Sequence, residues 1–192
     1  MLRVATIVAD TEAEGPGRRF AVWVQGCSLR CAGCCNPEMF DERRGTAIAL
    51  DGLAAQIPAG VEGITLLGGE PFEQAAGCAE FARLAKARGL TVMVFSGYAR
   101  DELAGRPDAA ALLAEIDLLV DGRYDRTKPE PPPPVGRRWI GSANQTMHYL
   151  TSAYSADDPR MRTSNTIEIR VSASGIKING WPSADQLLRP RR

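Results

Sequence analysis

The sequence predicts an α/β fold with a mostly parallel sheet, laid out as an open sheet or a partial β/α barrel. Two observations carry this. The short apolar runs GITLL (Gly63 to Leu67), TVMVF (Thr91 to Phe95) and DLLV (Asp117 to Val120) are continuous rather than alternating, as expected of strands covered on both faces. Helical patterns separate them, and repeated βα units with right-handed crossovers set their strands side by side and parallel.

The elements can be justified in chain order. RVATIV (Arg3 to Val8) and FAVWV (Phe20 to Val24) read as strands, and EAEGPGRR between them demands a turn through its glycines and proline. A helix lies between GITLL and TVMVF. Cys78, Phe81, Ala82 and Ala85 form its apolar stripe, Lys86 and Arg88 occupy its last turn, and Gly89 supplies the stop. A further helix starts at Pro107, a favoured first helical position, and runs to about Glu115. TKPEPPPPVGRR (Thr127 to Arg138) cannot join a helix or a central strand and reads as a stiff extended loop, either a spacer or a flap beside the site. NTIEIRVSASGIKING (Asn165 to Gly180) reads as a terminal hairpin. At 192 residues the expectation is one domain, 1–192, around a single core.

Composition narrows the function classes. The chain is 44% apolar and 24% charged, which argues against disorder. Lys plus Arg and Asp plus Glu both number 23, so no overall field draws the protein to nucleic acid or a membrane surface, and the basic RPRR at the chain end is assigned no role. No run approaches the ~20 apolar residues of a membrane span, and the N-terminus lacks a signal-peptide core, so a cytoplasmic protein is expected. Five cysteines in a reducing compartment point to metal or redox chemistry rather than disulfides.

Four of those cysteines crowd into GCSLRCAGCCN, Gly26 to Asn36, directly after FAVWV. GGEP follows GITLL, SGY follows TVMVF, and DGRYD begins at the end of DLLV. All four segments sit at the carboxyl ends of strands, where α/β folds build their sites, and parallel strands would make them face one another. Cys27, Cys31 and Cys34 follow C-x3-C-x2-C, a spacing that can wrap three thiolates round one centre. A structural zinc would ask for a fourth ligand, usually from a second pair, and none exists. Cys35 adjoins Cys34 and reads as a bystander thiol, Cys78 as a core residue and His148 as structural. Three soft ligands with an open position favour an iron-sulfur cluster.

C-x3-C-x2-C with GGEP after the next strand resembles the radical S-adenosylmethionine superfamily. EGPGRR, CNPEMF, FSGY, LLVDGRYD and RWIGSANQ, spread between about Val8 and Gln145, narrow the resemblance to the small activating enzymes of glycyl-radical proteins, most closely the branch serving the anaerobic ribonucleotide reductase. The resemblance implies a partial barrel of the radical S-adenosylmethionine type. It also implies a single [4Fe-4S] cluster on Cys27, Cys31 and Cys34, with S-adenosylmethionine on the fourth iron. Cleavage to a 5'-deoxyadenosyl radical would then install a glycyl radical on a larger protein partner, with a flavodoxin or ferredoxin as electron donor. In that frame Gly68 and Gly69 admit the methionine end, Glu70 lies near its ammonium, and Pro71 fixes the turn into the next helix. Ser96 offers a hydroxyl, and Asp121 either meets a ribose hydroxyl or turns the chain at a strand end. Arg123 reads as a surface ion pair, the alternative being a contact with the cofactor carboxylate. Gly33 stands where many superfamily members carry an aromatic, and Asn144 and Gln145 match the family pattern without an evident role. The rival readings are a radical S-adenosylmethionine enzyme acting on a small molecule, such as a carboxy-deazaguanine synthase, and a zinc-stabilised binding module.

Overall fold

In a computed structural model, residues 1–173 and 175–180 are described; the basic stretch 189–192 lies outside them. Strands β1 (Leu2–Thr11), β2 (Arg19–Val24), β3 (Thr46–Ile48), β4 (Gly63–Gly68), β5 (Thr91–Phe95), β6 (Leu118–Asp121) and β7 (Thr146–Tyr149) form one sheet in the order β3-β1-β2-β4-β5-β6-β7. The pairs β2–β4, β4–β5 and β5–β6 are parallel. Both flanks are antiparallel: β1 against β2 and β3, and β7 against β6. The result is a mixed α/β fold, parallel through its centre and not a closed barrel. Strands β8 (Ile167–Ser172) and β9 (Gly175–Gly180) pair with each other as a separate hairpin.

The continuous apolar runs are explained by burial on both faces. In β2, Phe20, Val22 and Val24 enter the large core with the helices, whereas Ala21 and Trp23 face the other way. The same alternation places Val92 and Val94 of β5 on the helical side and Met93 on the opposite side, where residues of the 139–161 segment cover it. The helical side is covered chiefly by α2 (Ala75–Lys86), whose predicted stripe Cys78, Phe81, Ala82 and Ala85 is wholly buried. Sequence periodicity missed β3, β7 and the short helices Leu50–Ala54 and Arg100–Ala104, each five residues or fewer. The helix expected from Pro107 shrinks to Ala110–Leu113. Among the described residues no helix is long and apolar enough to cross a membrane.

The EGPGRR turn serves an arginine. Arg19 opens β2 at the edge opposite the strand ends that carry the cysteines, and it is fully buried. Its guanidinium donates to Thr65 Oγ1 at 2.6 Å, Tyr154 OH at 3.0 Å, and Thr91 Oγ1 and Pro16 O at 3.2 Å, and to the carbonyls of Ile64 and Thr91. Burial holds its pKa below the usual value, against the opposing pull of Tyr154 and of the Glu62 and Asp117 carboxylates. The fork thereby joins β2, β4, β5 and the distant Tyr154, a geometry that an ammonium cannot reproduce. Arg19→Lys should therefore lower unfolding free energy by roughly 2 kcal/mol, because several buried acceptors lose their donor. A urea titration showing a lower midpoint at unchanged slope would agree, and an unchanged midpoint would not.

Candidate cofactor site

The carboxyl ends of β2, β4, β5 and β6 do converge. A cavity of about 1030 Å³ is lined by Cys27, Cys31, Cys34 and Cys35, by Gly68, Gly69 and Glu70, by Ser96 and Gly97, and by Gly122, Tyr124 and Gln145. Its apolar wall includes Trp23, Leu67, Phe95 and Trp139. Each of the four segments picked out in the sequence thus contributes to one chamber.

The cysteine loop is fastened at its base and at its side. Gly26 N and Cys27 N donate to the Met39 and Phe40 carbonyls at 2.9 and 3.3 Å, closing the loop on itself. Gln25 holds the returning strand of the loop through its side-chain amide, which donates to Glu38 O and Asp41 O at 3.1 and 2.9 Å. Ser28 N donates to both carboxylate oxygens of Glu73, at 2.9 and 3.1 Å. Gly33 adopts φ +78, a backbone conformation that residues with a Cβ rarely take, so glycine suits this turn.

Main-chain N–H groups meet each sulfur. Asn36 N donates to Cys34 Sγ at 3.4 Å, while the backbone amides of Leu29 and Arg30 act on Cys27, and that of Tyr124 on Cys31, to favour the thiolate. Burial raises the pKa of Cys27 and Cys31 against these donors. Cys34 goes the other way, down to about 7, because the Cys35 thiol donates to it; the same bond, with burial, raises Cys35. Among the described residues no three Cys, His, Asp or Glu side chains are gathered closely enough to hold a metal ion as they stand. The expected trio therefore shares a wall of the cavity but not yet a common centre. Ligands and metal organise one another on binding. The donor set suits a thiophilic cluster: three soft sulfurs on one irregular loop, each with N–H groups directed at it, facing an open chamber.

Glu70 anchors the next two loops. Its side chain is 1% exposed, and Oε1 accepts from Phe72 N at 3.0 Å and Ser96 Oγ at 2.9 Å while Oε2 accepts from Gly97 N at 2.8 Å. Its own N–H donates to Gly26 O at 2.8 Å, and Gly69 N donates to Val24 O at 2.8 Å. A Cβ at Gly69 would fall 2.3 Å from Gly26 O, so only glycine lets the GGEP loop lie against the cysteine loop. Pro71 begins a 3-10 turn, Pro71–Gln74, and is buried off the cavity wall.

Asp121 is placed differently from the expected ribose contact. It does not line the cavity; Oδ2 accepts from Arg100 N at 2.5 Å and lies 3.1 Å from His148 Nε2, which does not meet the angular requirement of a hydrogen bond. The free N–H at the start of the Arg100–Ala104 helix gives the carboxylate a nearer partner. Arg123 forms a bidentate pair with Glu102 at 2.7 and 3.0 Å. Asn144 Nδ2 donates to Arg123 O at 2.8 Å and Gln145 Nε2 to Gly122 O at 3.0 Å, so GSANQ locks the DGRYD loop that carries Tyr124. Cys78 is buried in the core on α2. None of residues 127–138 lines the cavity. Gln25, Glu73 and Gln145 were not singled out as scaffold residues by sequence reasoning; the position of Glu73 three residues beyond Glu70, on the same 3-10 turn, was the available signal.

Residues 13–148 match a family described as a 4Fe-4S single cluster domain. Proteins named anaerobic ribonucleoside-triphosphate reductase-activating protein are similar to the chain. The one from Vibrio cholerae is 31% identical over 148 residues, 71% of this chain and 91% of its own. Those from Pasteurella multocida and Escherichia coli K12 are both 30% identical, over 71% of this chain and 90% and 91% of their own lengths.

Burial raises Glu70 to about 7 despite its three donors, and raises Glu14 likewise. Their neutral forms are thus favoured in the folded state. The stability they contribute is complete below about 4.5, the ordinary value, and is lost as pH rises through about 7. Urea unfolding should show stability falling across that window, with the decline partly flattened in Glu70→Gln. An identical pH slope in the variant would contradict this account of Glu70.

Proposed function

The chain belongs to the family of the anaerobic ribonucleoside-triphosphate reductase-activating proteins, and from that membership we propose that it installs a glycyl radical on such a reductase. Cys27, Cys31 and Cys34 would hold a [4Fe-4S] cluster in the cavity, and the neighbouring glycine-rich loop would receive S-adenosylmethionine. The observation that carries this reading is the shared cavity wall of the three cysteines and the GGEP loop. Bound together, cluster and S-adenosylmethionine would supply one-electron reductive cleavage of the sulfonium to methionine and a 5'-deoxyadenosyl radical able to take a hydrogen atom from the partner's glycine.

The protein's own task is to bind, orient and exclude water. Backbone N–H groups of residues 29, 30, 36 and 124 would stabilise negative sulfur. Gly68 and Gly69 let main chain approach the amino acid end of the cosubstrate. Glu70 and Ser96 act as positioning residues, since their bonds to one another and to Phe72 N and Gly97 N fix the two loops. Pro71 and Asp121 support the same loops from behind, through the 3-10 turn and through Arg100 N. Trp23, Leu67 and Phe95 supply the apolar wall that keeps a reactive radical from water.

The parallel strands β2, β4, β5 and β6 are read as the wall of an incomplete β/α barrel of the radical S-adenosylmethionine type, with 1–192 as one domain around it. The remaining cysteines do not suffice for a second cluster, because Cys78 lies in the core and Cys35 is engaged with Cys34. The electron would come from a separate reductant of the flavodoxin or ferredoxin class, and the reaction would take place in the cytoplasm.

Single alanine variants test the assignment. After anaerobic reconstitution, Cys35→Ala should retain about four irons and four sulfides per chain, as the unaltered protein does, whereas Cys27→Ala, Cys31→Ala and Cys34→Ala should each lose most of both. Retention in any of the latter three, or loss in Cys35→Ala, would reassign the ligands.

A further inference from the structure

The hairpin β8–β9 lies beyond residues 13–148, the segment matched to the family, and its polarity is inverted. Ile169 pairs with Ile178 and Val171 with Ile176, so these four side chains share one face of the hairpin. They are 64%, 40%, 76% and 66% exposed in that order. The opposite, polar face fastens the hairpin to the body. Glu168 accepts from Glu12 N at 2.8 Å, Arg170 donates to Asp10 O at 2.6 Å, and Asn179 donates to Thr11 Oγ1 at 2.9 Å. Gly180 N adds a bond to Glu14 Oε1 at 2.8 Å. An alternating strand ordinarily turns its aliphatic face inward; here four branched aliphatic side chains are offered to the outside in one contiguous patch.

The patch is continuous with the cavity. Ile178 belongs to both, and Lys177, Asn179 and Arg170 of the same hairpin line the chamber that holds the cysteines. Whatever rests on the aliphatic face is therefore held beside the chamber that the cysteines line.

We propose that the outward face of β8–β9, namely Ile169, Val171, Ile176 and Ile178, is a docking surface for an apolar patch of the glycyl-radical reductase next to its glycine-bearing loop. This rests on the functional reading above and adds to it the surface that presents the substrate. The four residues contribute binding of a large protein, while Lys177 and Asn179 form the polar side of the passage.

The test uses the full chain with its reconstituted cluster and the anaerobic ribonucleoside-triphosphate reductase of the same organism. The double variant Val171→Lys/Ile176→Lys alters two exposed positions only. It should cleave S-adenosylmethionine under chemical reduction as the unaltered chain does, yet need about tenfold more reductase for half-maximal glycyl-radical formation, read by electron paramagnetic resonance. The conservative pair Val171→Ile/Ile176→Val should behave as the unaltered chain. Equal reductase dependence in the lysine variant overturns the proposal. So does a change of the activase's own oligomeric state with reductase dependence intact, which makes a second copy the occupant. If the unaltered chain neither cleaves S-adenosylmethionine nor activates the reductase, the functional reading fails instead, and the two failures are thus distinguishable.

Discussion

The buried carboxylate of Glu70 is the constraint on which the rest of the site depends. Two of its donors, Ser96 Oγ and Gly97 N, come from the loop after β5, and a third, Phe72 N, comes from its own turn. Its backbone N–H reaches the cysteine loop through Gly26 O. One residue thus links three of the four segments that surround the cavity. Burial makes the anionic form costly, and the three donors offset that cost only in part, so the carboxyl sits at about 7. Such a group is well suited to fixing geometry, because none of its donors can be released cheaply.

Around this centre the polar scaffold is made mostly of side chains bonded to main chain. Gln25 and Glu73 hold the cysteine loop, and Gln145 and Asn144 hold the loop of Tyr124. The sulfurs themselves meet backbone N–H groups. This division has a physical logic. Thiols that are to serve as cluster ligands, as proposed for Cys27, Cys31 and Cys34, must remain free to bind metal, and the loop is accordingly braced by its neighbours. At the far edge of the sheet Arg19 performs a comparable service with a buried cation, tying the amino ends of three strands together.

Much of this was legible in the sequence, and for identifiable reasons. The central strands showed as continuous apolar runs because both faces are covered, and α2 showed because its stripe repeats over three turns. The convergence of the cysteine, GGEP, SGY and DGRYD segments followed from parallel strands alone. What escaped was short or conditional. Strands β3 and β7 have three and four residues, too few for a period to declare itself. Residue type alone does not reveal whether a hydroxyl or carboxylate faces a ligand or a neighbouring loop; here Ser96 joins Glu70, and Asp121, for which both a ribose contact and a turn at the strand end were open, joins Arg100 N. The EGPGRR turn was visible, but not its purpose, since the acceptors of Arg19 lie as far away as Tyr154. Register, which sequence alone does not supply, was needed to see that the hairpin turns its aliphatic face outward.

The central claim is that three sulfurs on one loop bind a cluster with a coordination position left for S-adenosylmethionine. Electron paramagnetic resonance of the anaerobically reconstituted, reduced protein, recorded with and without that cosubstrate, tests it most directly. The account predicts a reduced-cluster signal that changes in shape and g-values when S-adenosylmethionine is added. A signal indifferent to the cosubstrate, or a protein that takes up zinc and no iron or sulfide, would contradict it.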